Sequence, residues 1–146
     1  MFETIAKAGI SHVIQLSVAP VFLLTGVGAI LNVMSNRLSR IVDRARVLEL
    51  RLENAAPELR GEVEQRLRNL SRRARLIARA IALCVVTAVL VCAVIITLFL
   101  GEFTEINAGV PAALLFIGAL LSFLLALLFL LREVVLATET LKFGPG

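Results

Sequence analysis

The sequence predicts an all-α membrane protein with three transmembrane helices, the first two of which extend into a cytoplasmic antiparallel coiled-coil hairpin. The chain has 146 residues and is 59% hydrophobic, a composition more typical of membrane proteins than of soluble domains. It contains three apolar runs of bilayer-spanning length. An arginine-rich stretch with heptad spacing separates the first run from the second.

The three apolar runs set the predicted organisation of the chain. About 20 helical residues cross the ~30 Å hydrocarbon core of a bilayer. The first run is too long for the apolar core of a secretory signal peptide, so we interpret it as a permanent span. The predicted order is an outward-facing N-terminus (1–9), span one (10–34), a cytoplasmic helical hairpin (35–79, with its turn near 54–57), span two (80–100), an external loop (101–109), span three (110–131) and a cytoplasmic tail (132–146).

Two heptad seams predict the hairpin. The first comprises Leu38, Ile41, Ala45, Leu48 and Leu52, and the second comprises Leu59, Val63, Leu67, Leu70, Ala74, Ile77 and Ile81. Spacings of three and four residues place these side chains along one side of each helix, as in a coiled coil. The segment "ENAAPE" (Glu53–Glu58) interrupts the pattern, and Pro57 suits the first turn of the return helix.

The distribution of basic residues predicts the orientation. Between Arg37 and Arg79 there are 12 arginines and six acids. Of the 15 lysines and arginines in the chain, only Lys7 lies on the opposite side of the membrane from the hairpin and the tail. Because basic residues accumulate on the cytoplasmic side, the hairpin and the C-terminus are expected in the cytoplasm and the N-terminus outside.

Span one differs from the other two in carrying a polar stripe. At 100° per residue its polar and small side chains fall within an arc of roughly 160°. The candidate pore-lining residues on this arc are His12, Gln15, Phe22, Thr25, Gly26, Ala29, Asn32 and Asn36. Lipid cannot satisfy the donors and acceptors of such a stripe, so it must face protein or water.

Two interpretations of the stripe remain open. In the first, Gly26 and Ala29 let helices approach closely while the amide side chains form hydrogen bonds between helices. In the second, the stripe lines a water-filled path around the axis of a homo-oligomer, and Phe22 forms an apolar constriction. Span three carries a ladder of small residues at spacing four, Gly118, Ser122 and Ala126, which predicts close helix packing.

The arginines next to the spans are candidates for contacts with lipid phosphate or other anions. They are Arg37, Arg40 and Arg44 after span one, and Arg72, Arg73, Arg75 and Arg79 before span two. Each basic residue near an anionic leaflet contributes ~1 kcal/mol to membrane attraction. We therefore favour the anionic inner leaflet as their partner over nucleic acid.

The sequence contains no recognisable catalytic or metal-binding motif. No nucleophile–base set, Gly-rich phosphate loop or intramembrane carboxylate pair is present. With one His and no Cys-x-x-Cys, a metal site is not expected either. We expect a non-enzyme without catalytic residues, metal or cofactor. Its expected partners are the bilayer and further copies of itself, and a soluble cytoplasmic protein is an alternative partner of the hairpin.

The segment "HVIQLSVAPVFLLTGVGAILNVMSNRLSRIVDRAR" (His12–Arg46) resembles the opening of a family of small bacterial membrane proteins catalogued only as a domain of unknown function. The likeness extends through the hairpin and both later spans. It implies a bacterial inner-membrane location and three spans, and it implies no activity and no catalytic residues.

Overall fold

Three long helices make up nearly all of the described chain. The structure, a computed structural model, describes the backbone of residues 2–143 and the side chains of residues 9–138. The helices are α1 (Phe2–Asn54), α2 (Pro57–Thr104) and α3 (Gly109–Phe143). The expectations for the first residue and for the last three residues of the predicted tail lie outside this part of the chain.

The helix ends follow from local sequence. Only Ala55 and Ala56 separate α1 from α2. α2 begins at Pro57, and proline suits this position because an N–H in the first turn would have no acceptor within the helix. Glu105 follows the end of α2 with φ 58°, the left-handed conformation common after a helix C-terminus. At the start of α3 the Asn107 side-chain oxygen accepts a hydrogen bond from the Gly109 N–H.

All three helices contain a segment long and apolar enough to cross a membrane. The sequence prediction of an all-helical, multi-pass membrane protein is therefore confirmed. α1 continues through Pro20 and beyond the end of predicted span one without interruption. The predicted tail is likewise helical as far as Phe143.

The helices contribute to two compact units. Unit 1 contains residues 1–30 and 83–124, and unit 2 contains residues 31–82 and 125–146. In unit 1 the buried side chains on α3 are Ala112 and Ala119, small residues that let helices approach closely. Gly101 is required there for the same reason, because a Cβ at this position would lie 2.4 Å from the Cβ of Ala108.

Unit 2 contains the predicted hairpin together with the end of α3. Its buried apolar residues are Met34, Ile41, Leu70, Ile77, Ala80 and Ala126. Several are seven residues apart on their helix, the spacing that keeps one side of a helix against a neighbour. The other residues of the two predicted seams are half-buried, except Leu59, which is exposed.

Candidate functional site

The polar stripe of α1 is exposed along its whole length. All eight candidate pore-lining residues have exposed side chains or, for Gly26, an exposed backbone position. Phe22 is 69% exposed. A Cβ built at Gly26 would meet nothing within 4 Å, so none of the residues that the structure describes covers this point of the stripe. The stripe is therefore open to whatever surrounds the folded chain.

α1 packs on the rest of its own chain through the opposite side. In unit 1 the buried residues of α1 are Val13, Ser17, Pro20 and Val27, which lie roughly 180° from the centre of the stripe at 100° per residue. In unit 2 Met34 is buried. The amphipathic character of α1 thus separates one side used within the chain from another that the chain leaves open.

The amide side chains on the stripe have no hydrogen-bond partner among the described residues. Thr25 satisfies its hydroxyl by donating to the Val21 carbonyl oxygen at 3.2 Å. Gln15, Asn32 and Asn36 form no side-chain hydrogen bond in the same part of the chain. Three amides, each with two N–H donors and a carbonyl acceptor, therefore require partners from outside the chain or from water.

Polarity along the stripe is interrupted in the middle. His12 and Gln15 form an outer polar group, and the next polar side chain on the stripe is Thr25. Between them the same side of α1 presents Val18, 48% exposed, and Phe22. The stripe thus consists of two polar zones separated by an apolar zone of about two to three helical turns.

A second polar cluster in unit 2 centres on Glu133 of α3. Its carboxylate is completely buried and accepts hydrogen bonds from two arginines. Arg37 of α1 donates from Nε at 2.9 Å and from Nη2 at 2.5 Å to Oε2. Arg73 of α2 donates from Nε at 2.9 Å to Oε1. One carboxylate therefore connects all three helices.

The charges of this cluster do not cancel. Two guanidinium groups share one carboxylate, which leaves a formal charge of +1. The Arg73 side chain is 15% exposed and that of Arg37 is 32% exposed. Removing one partner of a buried ion pair strongly destabilises a fold, so both arginines are expected to contribute to the stability of unit 2.

Sequence reasoning missed Glu133 and placed it at the start of the tail. It named Arg37 and Arg73 as contacts for lipid phosphate or other anions, and within the chain both donate to the Glu133 carboxylate, a partner that the prediction did not include. The other five predicted phosphate contacts, Arg40, Arg44, Arg72, Arg75 and Arg79, are exposed. One signal could have identified Glu133: it continues the seven-residue series Ala112, Ala119, Ala126 that forms the buried side of α3.

The predicted small-residue ladder of α3 is partly covered. Ala126 is fully buried, and Gly118 and Ser122 are half-buried. In unit 1 a Cβ at Gly118 would lie 3.7 Å from Leu90 Cδ1, an ordinary packing distance. No group of three or more metal-ligating side chains occurs among the residues searched, which are those that the structure describes.

Comparison with known proteins identifies one family. The family described as "Protein of unknown function (DUF2721)" matches residues 17–143, most of the chain. The sequence resemblance to a family without assigned function is thereby confirmed. No curated protein matches the chain, and no solved structure matches it.

Proposed function

The chain belongs to the DUF2721 family of proteins of unknown function, and from its own geometry we propose that it is a homo-oligomeric membrane protein whose α1 stripe lines a path for ions. The observation that carries the proposal is the exposure of Gln15, Asn32 and Asn36 on the side of α1 that the chain does not cover. Such a stripe has no purpose against lipid, since hydrocarbon offers no hydrogen bonds.

The cost of leaving the stripe against lipid favours assembly. An amide without a hydrogen bond in an apolar medium costs several kcal/mol, and three amides project from the open side of α1. Further copies of α1 around a common axis would exclude lipid from this side. Gly26 and Ala29 provide the small side chains that such close packing needs.

The order of residues along the stripe suits an ion path with a gate. The two polar zones would be wetted, whereas the apolar zone at Val18 and Phe22 would form a constriction that opposes water entry. Phe22 has the bulkiest apolar side chain on the stripe, so a ring of Phe22 side chains would form the constriction. We therefore assign the gate to Phe22 and the adjoining polar lining to Gln15 and Thr25.

Charge at the inner end of the stripe favours anions. Arg40 is exposed on the same side of α1 and would form a ring near the cytoplasmic mouth. Such a ring raises the local concentration of anions and repels cations. Asp43 lies one turn further along and offsets part of this charge, so the expected preference for anions is modest.

The alternative function is structural or signalling, through the hairpin. Val47, Leu50 and Leu59 are 50%, 63% and 54% exposed on a segment expected to lie in water. Contiguous exposed apolar side chains mark surfaces that bind other proteins, and Val47 and Leu50, three residues apart, are neighbours on α1. A soluble cytoplasmic partner, or the hairpins of neighbouring copies, would cover them without any ion path through the membrane.

Ion flux decides between these functions. The full chain is reconstituted into vesicles, and chloride and potassium flux are measured at both voltage polarities and across pH. We expect flux above that of empty vesicles at matched lipid content, together with a mass in detergent of several chains. A single-chain mass would rule out a pore, and flux equal to that of empty vesicles would leave the hairpin function.

Topology is tested by labelling single cysteines in a background where Cys84 and Cys92 are replaced by alanine. Ile106, 68% exposed between α2 and α3, and Ala56, between α1 and α2, are convenient positions. An impermeant thiol reagent applied to intact cells is expected to label I106C and to spare A56C until the cells are opened. Labelling of A56C in intact cells would reverse the orientation.

A further inference from the structure

A row of unpaired arginines lies on the exposed side of α2, just before span two. Arg72, Arg75 and Arg79 are separated by three and four residues, so they are neighbours on one side of the helix with Cβ atoms ~5–6 Å apart. All three are exposed. Arg73, by contrast, points to the buried Glu133, so adjacent arginines of α2 have different roles.

Among the described residues, no acidic side chain forms an ion pair with this row. No Asp or Glu occurs between Glu64 and Glu102 of α2. Elsewhere in α2 the arrangement differs, since Arg66 and Arg68 each follow a glutamate by four residues. Like charges at this spacing destabilise a helix, and an external anion would remove that repulsion.

Arg79 and Arg75 lie at the depth of the headgroup layer, and Arg72 lies just beyond it. Arg79 immediately precedes predicted span two, and Arg75 and Arg72 lie ~6 and ~10 Å further from it along the helix. Headgroups occupy roughly 5–8 Å on each side of the hydrocarbon. Val86, seven residues beyond Arg79 and therefore on the same side of α2, is 46% exposed, as expected of a side chain that faces lipid.

We propose that Arg72, Arg75 and Arg79 bind the phosphodiester of an anionic lipid of the inner leaflet. Guanidinium groups donate two parallel hydrogen bonds to phosphate oxygens, and side chains one turn apart can converge on one headgroup. The site does not depend on the ion path. The seven arginines next to the spans thus fall into three groups. Two bind Glu133 (Arg37 and Arg73), two are exposed on α1 (Arg40 and Arg44), and three form this row.

The test measures which lipids stay bound to the full chain. Wild type and variants are released from vesicles of equal phosphatidylcholine and phosphatidylglycerol, and the retained lipids are identified by native mass spectrometry. Wild type is expected to retain phosphatidylglycerol selectively. Arg75→Gln combined with Arg79→Gln should lower that selectivity about 30-fold, the effect expected for two charges at the surface.

The matched control removes the same charge from the part of α2 that lies further from span two. Arg66→Gln combined with Arg68→Gln, two exposed arginines that each follow a glutamate by four residues, is expected to leave the selectivity within about twofold, because attraction to the leaflet falls off within a Debye length of its surface. Equal losses in the two double variants would overturn the site, as would equal retention of both lipids by wild type. If millimolar inorganic phosphate alone displaces the lipid, the row binds free phosphate, and the proposal of a lipid ligand is wrong.

Discussion

Replacing Glu133 with glutamine is expected to destabilise the folded chain by roughly 3–5 kcal/mol, the loss typical of breaking a buried ion pair from one side. The substitution preserves the size of the side chain, so the effect comes from charge. Arg37 and Arg73 would lose their common partner while remaining in place beside each other. Their mutual repulsion would then oppose the packing of α1, α2 and α3 in unit 2.

The matched control is Glu62→Gln, the same change on an exposed residue of α2. It is expected to change stability by no more than ~0.5 kcal/mol, as for a surface charge. Thermal unfolding in detergent and SDS-induced unfolding are the measurements. If both variants unfold alike, Glu133 does not hold the helices together, whatever its distance from the arginines.

The two arginines need not contribute equally. Arg73 is the more buried of the pair, and Arg37 is partly solvated. Arg73→Gln is therefore expected to cost more stability than Arg37→Gln, because removing a shielded partner leaves the carboxylate less compensated. A double-mutant cycle between Glu133 and each arginine separates the pairwise interaction from the cost of each substitution alone.

Local sequence contained most of the information about the helices. Apolar runs of bilayer length, the proline at Pro57 and the short segment before it are read without tertiary knowledge, since each acts on its own part of the chain. The length of α3 was harder to predict from the sequence. Arg132 and Glu133 end the purely apolar run, but charged residues do not stop a helix when one of them is paired with arginines inside the fold.

The Glu133 cluster was beyond sequence reasoning for a geometric reason. Its partners are 96 and 60 residues away, and seven arginines near the spans were equally eligible. Only the packing of three helices determines that Arg73 rather than Arg72 points inward. For the stripe of α1 the sequence was sufficient in one respect and not in another. Helical periodicity predicted where the stripe lies, but it could not predict whether the other helices of the chain cover the stripe. The exposed amides answer that question for the single chain.

The proposed gate at Phe22 is expected to give the largest change in ion flux. Phe22→Ala removes the ring from the apolar zone between the two polar zones of α1, which widens the constriction and lowers the barrier to water entry. Flux is expected to rise severalfold over wild type in vesicles with the same amount of incorporated protein. Gln15→Leu and Asn32→Leu should act in the opposite direction, because apolar side chains dry the adjoining path.

Phe103→Ala is the control for this gate. Phe103 is 73% exposed, close to the 69% of Phe22, but it lies near the end of α2 and not on the stripe. The identical substitution there is expected to leave flux at the wild-type level, which separates a local effect at the constriction from general loosening of the protein. A rise in both variants would indicate leakage around a destabilised chain. If neither variant nor wild type conducts while all three form the same oligomer, the stripe serves packing between copies, and the hairpin becomes the functional surface.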